Sequence, residues 1–447
     1  MSQKSKKTII LIGDIITLYL TLWLTLLIRY QTLPSSSLIL QHVIPFSILY
    51  IVWLTVFYIT GLYTINVNQN NIKFFNILME SMLWNTAIGA VFFYLTPFVE
   101  ISPKTNFLIS IILTILLITL WRQTINRIIG SKTLLTNTLL IGENIQVEEL
   151  VNELKKKPQF GYKVIQIISP SKVLNDSEFN LKKLIEQLQI KVIAIDPLAL
   201  KSQIMINRLF KIIPMKLKVM NLVNFSEEVS GKIPVYTIGQ TWFLENLNLY
   251  RQNSYEDMKR IFDILISSLF FISTIWLTPI IALLIKLTSK GPIFFTQSRT
   301  GLLGKTFKTI KFRSMIDDAE LNGGPQWAQK NDSRATVIGK FLRKTRLDEI
   351  PQLWNILKGD MSFVGPRPER PKFVDQLNIK IPFYNERHLV KPGLSGWAQI
   401  NFPYGASEQD AMEKLQYDLY YIKNRSFIFD IAILLKTIKT ILSHSGT

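Results

Sequence analysis

The sequence contains no cysteine, which excludes disulfides, thiolate nucleophiles, iron–sulfur clusters and cysteine-ligated zinc. Histidine is nearly absent too. His42, His388 and His444 stand far apart with no ligand spacing, so they give no basis for a histidine metal site. Acidic residues number 32 against 51 basic ones, and the net charge of +19 directs the chain toward anionic partners. Lipid headgroups, phosphorylated substrates and nucleic acid all fit that description. No recognisable nucleic-acid module is present, so nucleic acid is not an expected partner.

What the chain has in excess is apolar residues, 48% of 447, a length that exceeds a single core. Four apolar segments fill the first third: roughly Thr8 to Ile28, Leu38 to Tyr63, Ile77 to Val99 and Asn106 to Trp121. About 20 apolar residues cross a bilayer as a helix, so the expectation over 1–132 is a four-helix transmembrane bundle. Lys4, Lys6 and Lys7 precede the first segment, and Arg122, Arg127 and Lys132 follow the fourth. By the positive-inside bias both ends of the bundle face the cytoplasm. The small residues after the first segment faintly suggest a cleavage site, but three more apolar segments follow, and the expected reading is an uncleaved anchor.

Over 133–245 short β-like runs (TLLIG, YKVIQII, KVIAI, LKVMNL) alternate with helical stretches, the rhythm of a Rossmann-like α/β layer. Its first strand ends in GENIQ. Gly142 stands alone where a dinucleotide site wants three glycines, so a structural or regulatory role is expected rather than a bound nucleotide.

The apolar run Ile261 to Leu287 is long enough to span, but Pro279 lies inside it, after Thr278. Proline removes a backbone donor and clashes with the preceding turn, so a break is expected near Thr278 and Pro279. Lys259 and Arg260 flank one end, Lys286 and Lys290 the other. A re-entrant hairpin keeps both cationic flanks on one side, whereas a kinked fifth span separates them; the charges favour the hairpin.

From Lys286 to Ile316 there are seven basic residues and no acidic one, interleaved with Phe294, Phe295, Phe307 and Phe312. In FKTIKFRSM, Lys311 and Arg313 alternate with Phe312 and would share one face of a strand. A solvated strand accounts for this pattern, and so does a phosphate clamp. Next, RKTRLDEIPQLWNILKGD spaces Leu347, Ile350, Leu353, Trp354 and Leu357 as on one helix face, with Asp348 and Glu349 near its start and Pro351 in its first turn. Alone, such acids simply complement a helix dipole. Among Arg343, Lys344, Arg346, Arg367 and Arg370, they can instead bind a divalent cation and meet a phosphorylated substrate.

The stretches GPIFFTQSRTGLLGKTFKTIKFRSM, RLDEIPQLWNILKGDMSFVGPRP and VKPGLSGWAQI, in this order, resemble the bacterial sugar transferases that start surface-polysaccharide assembly, the polyprenyl-phosphate hexose-1-phosphate transferases. With the hairpin, the resemblance covers roughly 254–447, and the N-terminal part looks like that of the family's long form. It implies an α/β catalytic domain that transfers a sugar 1-phosphate from a UDP-sugar to undecaprenyl phosphate, releasing UMP, with magnesium as cofactor. It also implies location in the bacterial inner membrane with soluble parts cytoplasmic, a homodimer, and downstream polysaccharide-assembly glycosyltransferases as partners. Carried over by position, Asp348 is the nucleophile and Glu349 the magnesium ligand or proton handler, the pair together forming the metal site. Lys311, Arg313, Arg367, Arg370 and Lys391 are the phosphate contacts. Lys391 stands where some members have arginine, and NFPYG replaces the NGR of others. The apolar helix Phe427 to Leu442 is too short to span comfortably and is expected in the membrane interface, with packing onto the catalytic core as the alternative.

Overall fold

The computed structural model of the chain describes residues 3–64, 72–95, 103–130, 135–176, 178–247, 253–316, 334–402, 405 and 407–442. They form two units, Met1–Val229 and Ser230–Thr447.

The first unit opens with four long helices: α1 (Gln3–Tyr30), α2 (Ser36–Thr60), α3 (Ile72–Leu95) and α4 (Pro103–Gly130). Among the described residues, three segments are long and apolar enough to cross a membrane: Ser5–Tyr30, Ser36–Thr60 and Thr105–Ile128. The expected third segment forms α3 as far as Leu95 and is not one of these three; its remainder lies outside the described residues. Polar side chains on α1 are satisfied locally, as Thr17, Thr21 and Thr25 each donate to the carbonyl four residues back. One ion pair is wholly enclosed: Arg122 on α4 donates to both carboxylate oxygens of Asp14 on α1, at 3.0 and 2.5 Å, and Tyr63 adds a bond of 2.7 Å.

The chain then alternates β1 (Thr136–Ile141), α5 (Ile145–Lys156), β2 (Tyr162–Ile168), α6 (Pro170–Asn175), α7 (Leu181–Leu188), β3 (Val192–Ile195), α8 (Gln203–Phe210), β4 (Lys218–Asn221) and α9 (Leu222–Ser230). All four expected β-runs are strands, and they pair in parallel in the order β2-β1-β3-β4. Leu140 and Ala194 face one apolar layer with Val147 and Phe225, while Leu139 and Ile193 face another with Ile185 and Met205. Burial on both faces is why these strands read as continuous apolar runs. Asn144 caps α5 through the Val147 amide at 3.0 Å, so part of GENIQ is a helix cap.

The second unit starts earlier than the sequence suggests. Residues 230–245, expected in the Rossmann-like layer, pack on the C-terminal part: the Ile233 amide donates to Gln416 O at 3.0 Å, Trp397 Nε1 to Gly231 O at 2.9 Å, and Lys232 pairs with Glu413 at 3.1 Å. Here α10 (Gln240–Asn246) is followed by α11 (Asn253–Thr274) and α12 (Leu277–Thr288), which meet at a 60° bend. The break falls at Ile275 and Trp276, not at Thr278 and Pro279 as expected. Proline disrupts the bond to the carbonyl four residues before it, here that of Ile275, so the helix ends one turn upstream and Pro279 lies in the first turn of α12, where a missing N–H costs little. The Thr278 amide takes Ile275 O at 3.1 Å, and Ser273 and Thr274 donate to Phe270 O at 3.0 and 2.6 Å. Leu269, Ile272, Trp276, Leu283 and Leu287 are exposed around this bend.

The remaining elements are the hairpin of β5 (Phe294–Thr300) and β6 (Thr306–Phe312), α13 (Val337–Thr345), α14 (Gln352–Lys358), β7 (Ser362–Val364), α15 (Pro371–Lys380), β8 (Gly393–Ser395), α16 (Trp397–Asn401), α17 (Glu408–Asn424) and α18 (Phe427–Leu442). β7 and β8 cross so closely that a Cβ on Gly365 would lie 2.3 Å from Lys391 O, and one on Gly393 2.1 Å from Gly365 N. Only glycine allows this approach, which braces the loop after β7. α18 packs by Ile433 and by Asp430, which accepts from Lys259 and Tyr255 at 2.7 Å and from Tyr421 at 2.9 Å. Ile428, Ile438 and Ile441 stay exposed along it, so the helix packs on the core and still presents apolar surface.

Candidate active site

The carboxylate pair is set by a sharp reversal. Arg346 ends α13 in the left-handed region (φ 60°, ψ 13°), and the chain enters a single 3-10 turn, Leu347–Glu349, before α14 begins at Gln352. Asp348 and Glu349 therefore lie one turn ahead of α14 and not in its first turn, as the spacing had implied. Leu347 and Ile350 pack inward against Leu342 and Phe312, while Trp354 stays on the surface beside Phe271, with ring centroids 6.5 Å apart.

Both carboxylates are buried, at 7% and 8% exposure, and their environments differ. Glu349 Oε1 accepts from Lys311 Nζ at 2.6 Å and from Arg367 Nη2 at 2.9 Å, with Arg346 Nη1 at 4.0 Å. Burial favours its neutral form, but the charges of Lys311, Arg367 and Arg346 outweigh that and hold its pKa well below the usual carboxylate range. Asp348 is the reverse: among the described residues its Oδ1 has no hydrogen-bond partner, and burial together with the Glu349 charge pushes its pKa up to about 6. Burial lowers the Lys311 ammonium despite its partner, whereas the Glu349 charge raises Arg367. Arg367 keeps a side chain 41% exposed, so one edge of the cluster remains open to solvent.

Neighbouring elements position these groups. Asn355 on α14 accepts from the Ile310 amide at 3.1 Å and donates to Lys308 O at 2.8 Å, clamping β6 so that Lys311 faces the carboxylates. Arg387 donates to Arg367 O at 3.0 Å and pairs with the buried Asp418 at 2.8 Å, holding the Arg367 loop from behind.

Three of the expected phosphate contacts lie in other surroundings. Arg313 lies just past β6 and donates to Ser289 O and Oγ at 2.9 and 2.8 Å, tying the strand to the end of α12. Arg370 begins α15 with its guanidinium over Phe373, 5.7 Å from the ring centroid. Lys391 lies in the electrostatic neighbourhood of Arg260, Asp263, Glu256 and Asp360, and burial with the Arg260 charge lowers its pKa. Lys311 and Arg367 are thus the two expected cations that meet the carboxylates.

The chain matches the family of bacterial sugar transferases over residues 254–444. An uncharacterized sugar transferase of Bacillus subtilis (strain 168) is 37% identical over 42% of this chain and 89% of its own length. The chain belongs to the bacterial sugar transferase family.

Within that family it is 52% identical, over 37% of this chain and 39% of the relative, to the UDP-N-acetylgalactosamine-undecaprenyl-phosphate N-acetylgalactosaminephosphotransferase of Aeromonas hydrophila. It is 34% identical, over 65% of this chain and 64% of the relative, to the UDP-glucose:undecaprenyl-phosphate glucose-1-phosphate transferase of Escherichia coli (strain K12). The chain thus spans less than two thirds of the length of these relatives.

Sequence reading passed over Asn355 and Arg387 as parts of this transferase site. A polar residue inside the apolar run LWNIL was the available signal for Asn355, because a buried amide must find partners. For Arg387 nothing in the local sequence distinguishes it from the chain's other cations. Arg299 was likewise counted only as charge, yet it binds Glu369 at 3.2 Å and Gln297 at 2.6 Å, and burial brings its pKa down to about 10.

A divalent ion has limited protein ligands here. Among the described residues no third acidic or histidine side chain joins the pair. Two adjacent carboxylates, one with an unpartnered oxygen, fit magnesium, which keeps several waters and is held by one or two carboxylates together with substrate phosphates.

Proposed function

We propose that this family member transfers a sugar 1-phosphate from a UDP-sugar to undecaprenyl phosphate, releasing UMP, as the first membrane step of exopolysaccharide, capsule or O-antigen synthesis. The observation that carries this reading is the asymmetry of the pair: Asp348 keeps a buried, unpartnered oxygen while Glu349 organises two cations. A carboxylate oxygen with no donor is poised to form a bond, and its raised pKa makes it the more basic of the two.

In the first step Asp348 Oδ1 bonds to the phosphorus that bears the sugar, the P–O bond to the nucleotide breaks, and UMP leaves with that oxygen. In the second, an oxygen of undecaprenyl phosphate bonds to the same phosphorus and Asp348 is released as carboxylate. One phosphoanhydride is consumed and one is made, so positioning is most of the protein's task. Lys311 and Arg367 orient Glu349 and reduce the repulsion between a carboxylate nucleophile and an anionic substrate. Magnesium, which Asp348 and Glu349 would hold, would supply neutralising charge for the phosphates.

The same reading assigns four N-terminal crossings with cytoplasmic ends in the bacterial inner membrane, and α11–α12 as a re-entrant hairpin. The exposed apolar residues at the bend and the cationic flanks support the hairpin. A homodimer that hands its product to downstream polysaccharide-assembly glycosyltransferases completes it.

The test supplies detergent-solubilised full chain with undecaprenyl phosphate, magnesium and a panel of UDP-sugars, and measures UMP. Release with one or more sugars is expected, with Asp348→Asn reducing it at least 1,000-fold, on the order of losing a nucleophile. No release with any sugar, or an active Asp348→Asn variant, would overturn the reading.

A further inference from the structure

One edge of the parallel sheet meets the end of the helical bundle. Lys6 Nζ, near the start of α1, donates to Gln159 O at 3.0 Å in the turn between α5 and β2, and the Thr136 amide opening β1 takes Gly161 O at 2.8 Å. Ser5–Tyr30 is long enough to span, so this junction lies at a membrane boundary. The row of strand starts continues from there: the Lys191 amide donates to Asn137 O at 3.0 Å, and the Lys218 amide to Lys191 O at 3.1 Å. With a strand spacing of about 4.8 Å, β4 starts roughly 15 Å to the side of β2, on the same edge. The connection from α8 to β4, with its 3-10 turn Ile213–Met215, therefore lies on the edge that abuts the bundle.

That connection is apolar at its tip and cationic around it. Phe210 and Ile213 are 72% and 62% exposed, and Pro214 is exposed beside them. From Pro197 to Ser226 there are five basic residues and no acidic one. Two of the five serve the fold, since Arg208 donates to Phe179 O at 3.0 Å and Asp176 O at 2.7 Å, and Lys218 pairs with Glu228 at 2.7 Å. Lys211 and Lys216 flank the tip, and Lys191 opens the neighbouring strand. All three are exposed and form no ion pair among the described residues. The exposed Glu186, one turn before the end of α7, offsets one of these charges.

An acidic protein would match the charge, but it would not explain bare apolar side chains at the height where the bundle enters the bilayer. Anionic headgroups explain both, because a ring and a branched chain can enter the acyl boundary while lysine stems reach back to the phosphates. We propose that the α8–β4 connection is a second membrane contact of the first unit, with Phe210 and Ile213 inserted in the leaflet and Lys191, Lys211 and Lys216 against anionic lipid. The contact makes the seating of the α/β layer depend on lipid charge. It rests on the reading of the bundle as membrane-crossing and not on the transfer reaction.

The absence of cysteine makes a test direct, since one introduced cysteine takes a unique label. Full chains with Phe210→Cys, Ile213→Cys or, at the opposite edge of the sheet, Leu198→Cys carry an environment-sensitive fluorophore in lipid nanodiscs. The discs hold phosphatidylcholine with or without phosphatidylglycerol, plus a lipid spin-labelled near its headgroup as quencher. Quenching is expected at 210 and 213 but not at 198, stronger with the anionic lipid and weaker as salt is raised. At about five-fold per lysine, removing Lys211 and Lys216 together should lower the ratio of docked to free layer roughly 25-fold. Lys211→Glu with Lys216→Glu tests this, and the salt series repeats it without a substitution. Labels at 210 and 213 quenched no more than at 198, or equally in both lipids, would overturn the proposal. So would a second copy of the chain on this face, which would shift the label's emission as strongly in detergent as in discs and leave it unquenched by lipid. UMP release from the unlabelled chain in the same discs reports the transfer reaction separately, so the two failures are told apart.

Discussion

Asp348 holds a carboxylate oxygen in the interior to which none of the described residues donates, while its neighbour Glu349 takes two cations for itself. The folded protein therefore raises the Asp348 pKa from 3.8 to about 6. For an acid whose folded pKa is raised, the stabilisation is complete below the unfolded pKa and is lost as pH climbs through the folded one. At pH 7 the ionised side chain is thus a net cost, and Asp348→Asn is expected to stabilise the metal-free chain by roughly 1–3 kcal/mol while it stops the reaction. Thermal unfolding in detergent checks this: the gain in Tm should shrink as pH drops below 6 and vanish near pH 4. His388 behaves oppositely, because its folded pKa of about 4 lies below the ordinary 6.5. Its contribution, up to about 3 kcal/mol, is present above pH 6.5 and disappears as pH falls toward 4, so His388→Gln should flatten the acid limb of the stability profile in that window. At this scale the residue types were legible in the sequence and their partners were not. Lys311, Arg313 and Arg367 are all cations in one neighbourhood of sequence, but side-chain direction sends Arg313 to Ser289 and the other two to Glu349.

The short helix α14 carries more of the site than its length suggests. Its Asn355 amide binds two backbone groups of β6, and removing it would leave the Ile310 amide and the Lys308 carbonyl without that partner. Asn355→Ala is therefore expected to cost about 1–3 kcal/mol of stability and to lower the rate of UMP release through a displaced Lys311, both measurable on one preparation. Elements were read well where apolar period or composition decided them, as in the four parallel strands and α18. They were read less well where one residue acts at a distance along the chain. Pro279 was recognised as a breaker, but its effect falls at Ile275, because the disrupted bond belongs to the carbonyl one turn back. The left-handed Arg346 had no sequence signal at all, since glycine is the residue expected at such a reversal.

For the whole molecule, the compact unit that holds the carboxylate site begins at Ser230, whereas the sequence carries the Rossmann-like layer on to 245. Residues 230–245 read as part of the same α/β layer, yet their partners, Gln416, Glu413 and Trp397, lie more than 150 positions downstream, beyond the reach of periodicity. Topology is the property of the entire chain most open to test. A tag inserted after Lys290 should stay inaccessible to reagents outside intact cells if α11–α12 returns to its side of entry, and labelling there would mean that the segment crosses. The enclosed pair of Asp14 and Arg122 gives the bundle a schedule. Its two halves are separated by 108 residues, so at about 5–20 residues per second α1 is made roughly 5–20 s before its counter-charge exists. During that interval the Asp14 carboxylate, bound for a wholly enclosed position, has no counter-charge from α4, and a chain truncated before Arg122 would never gain one.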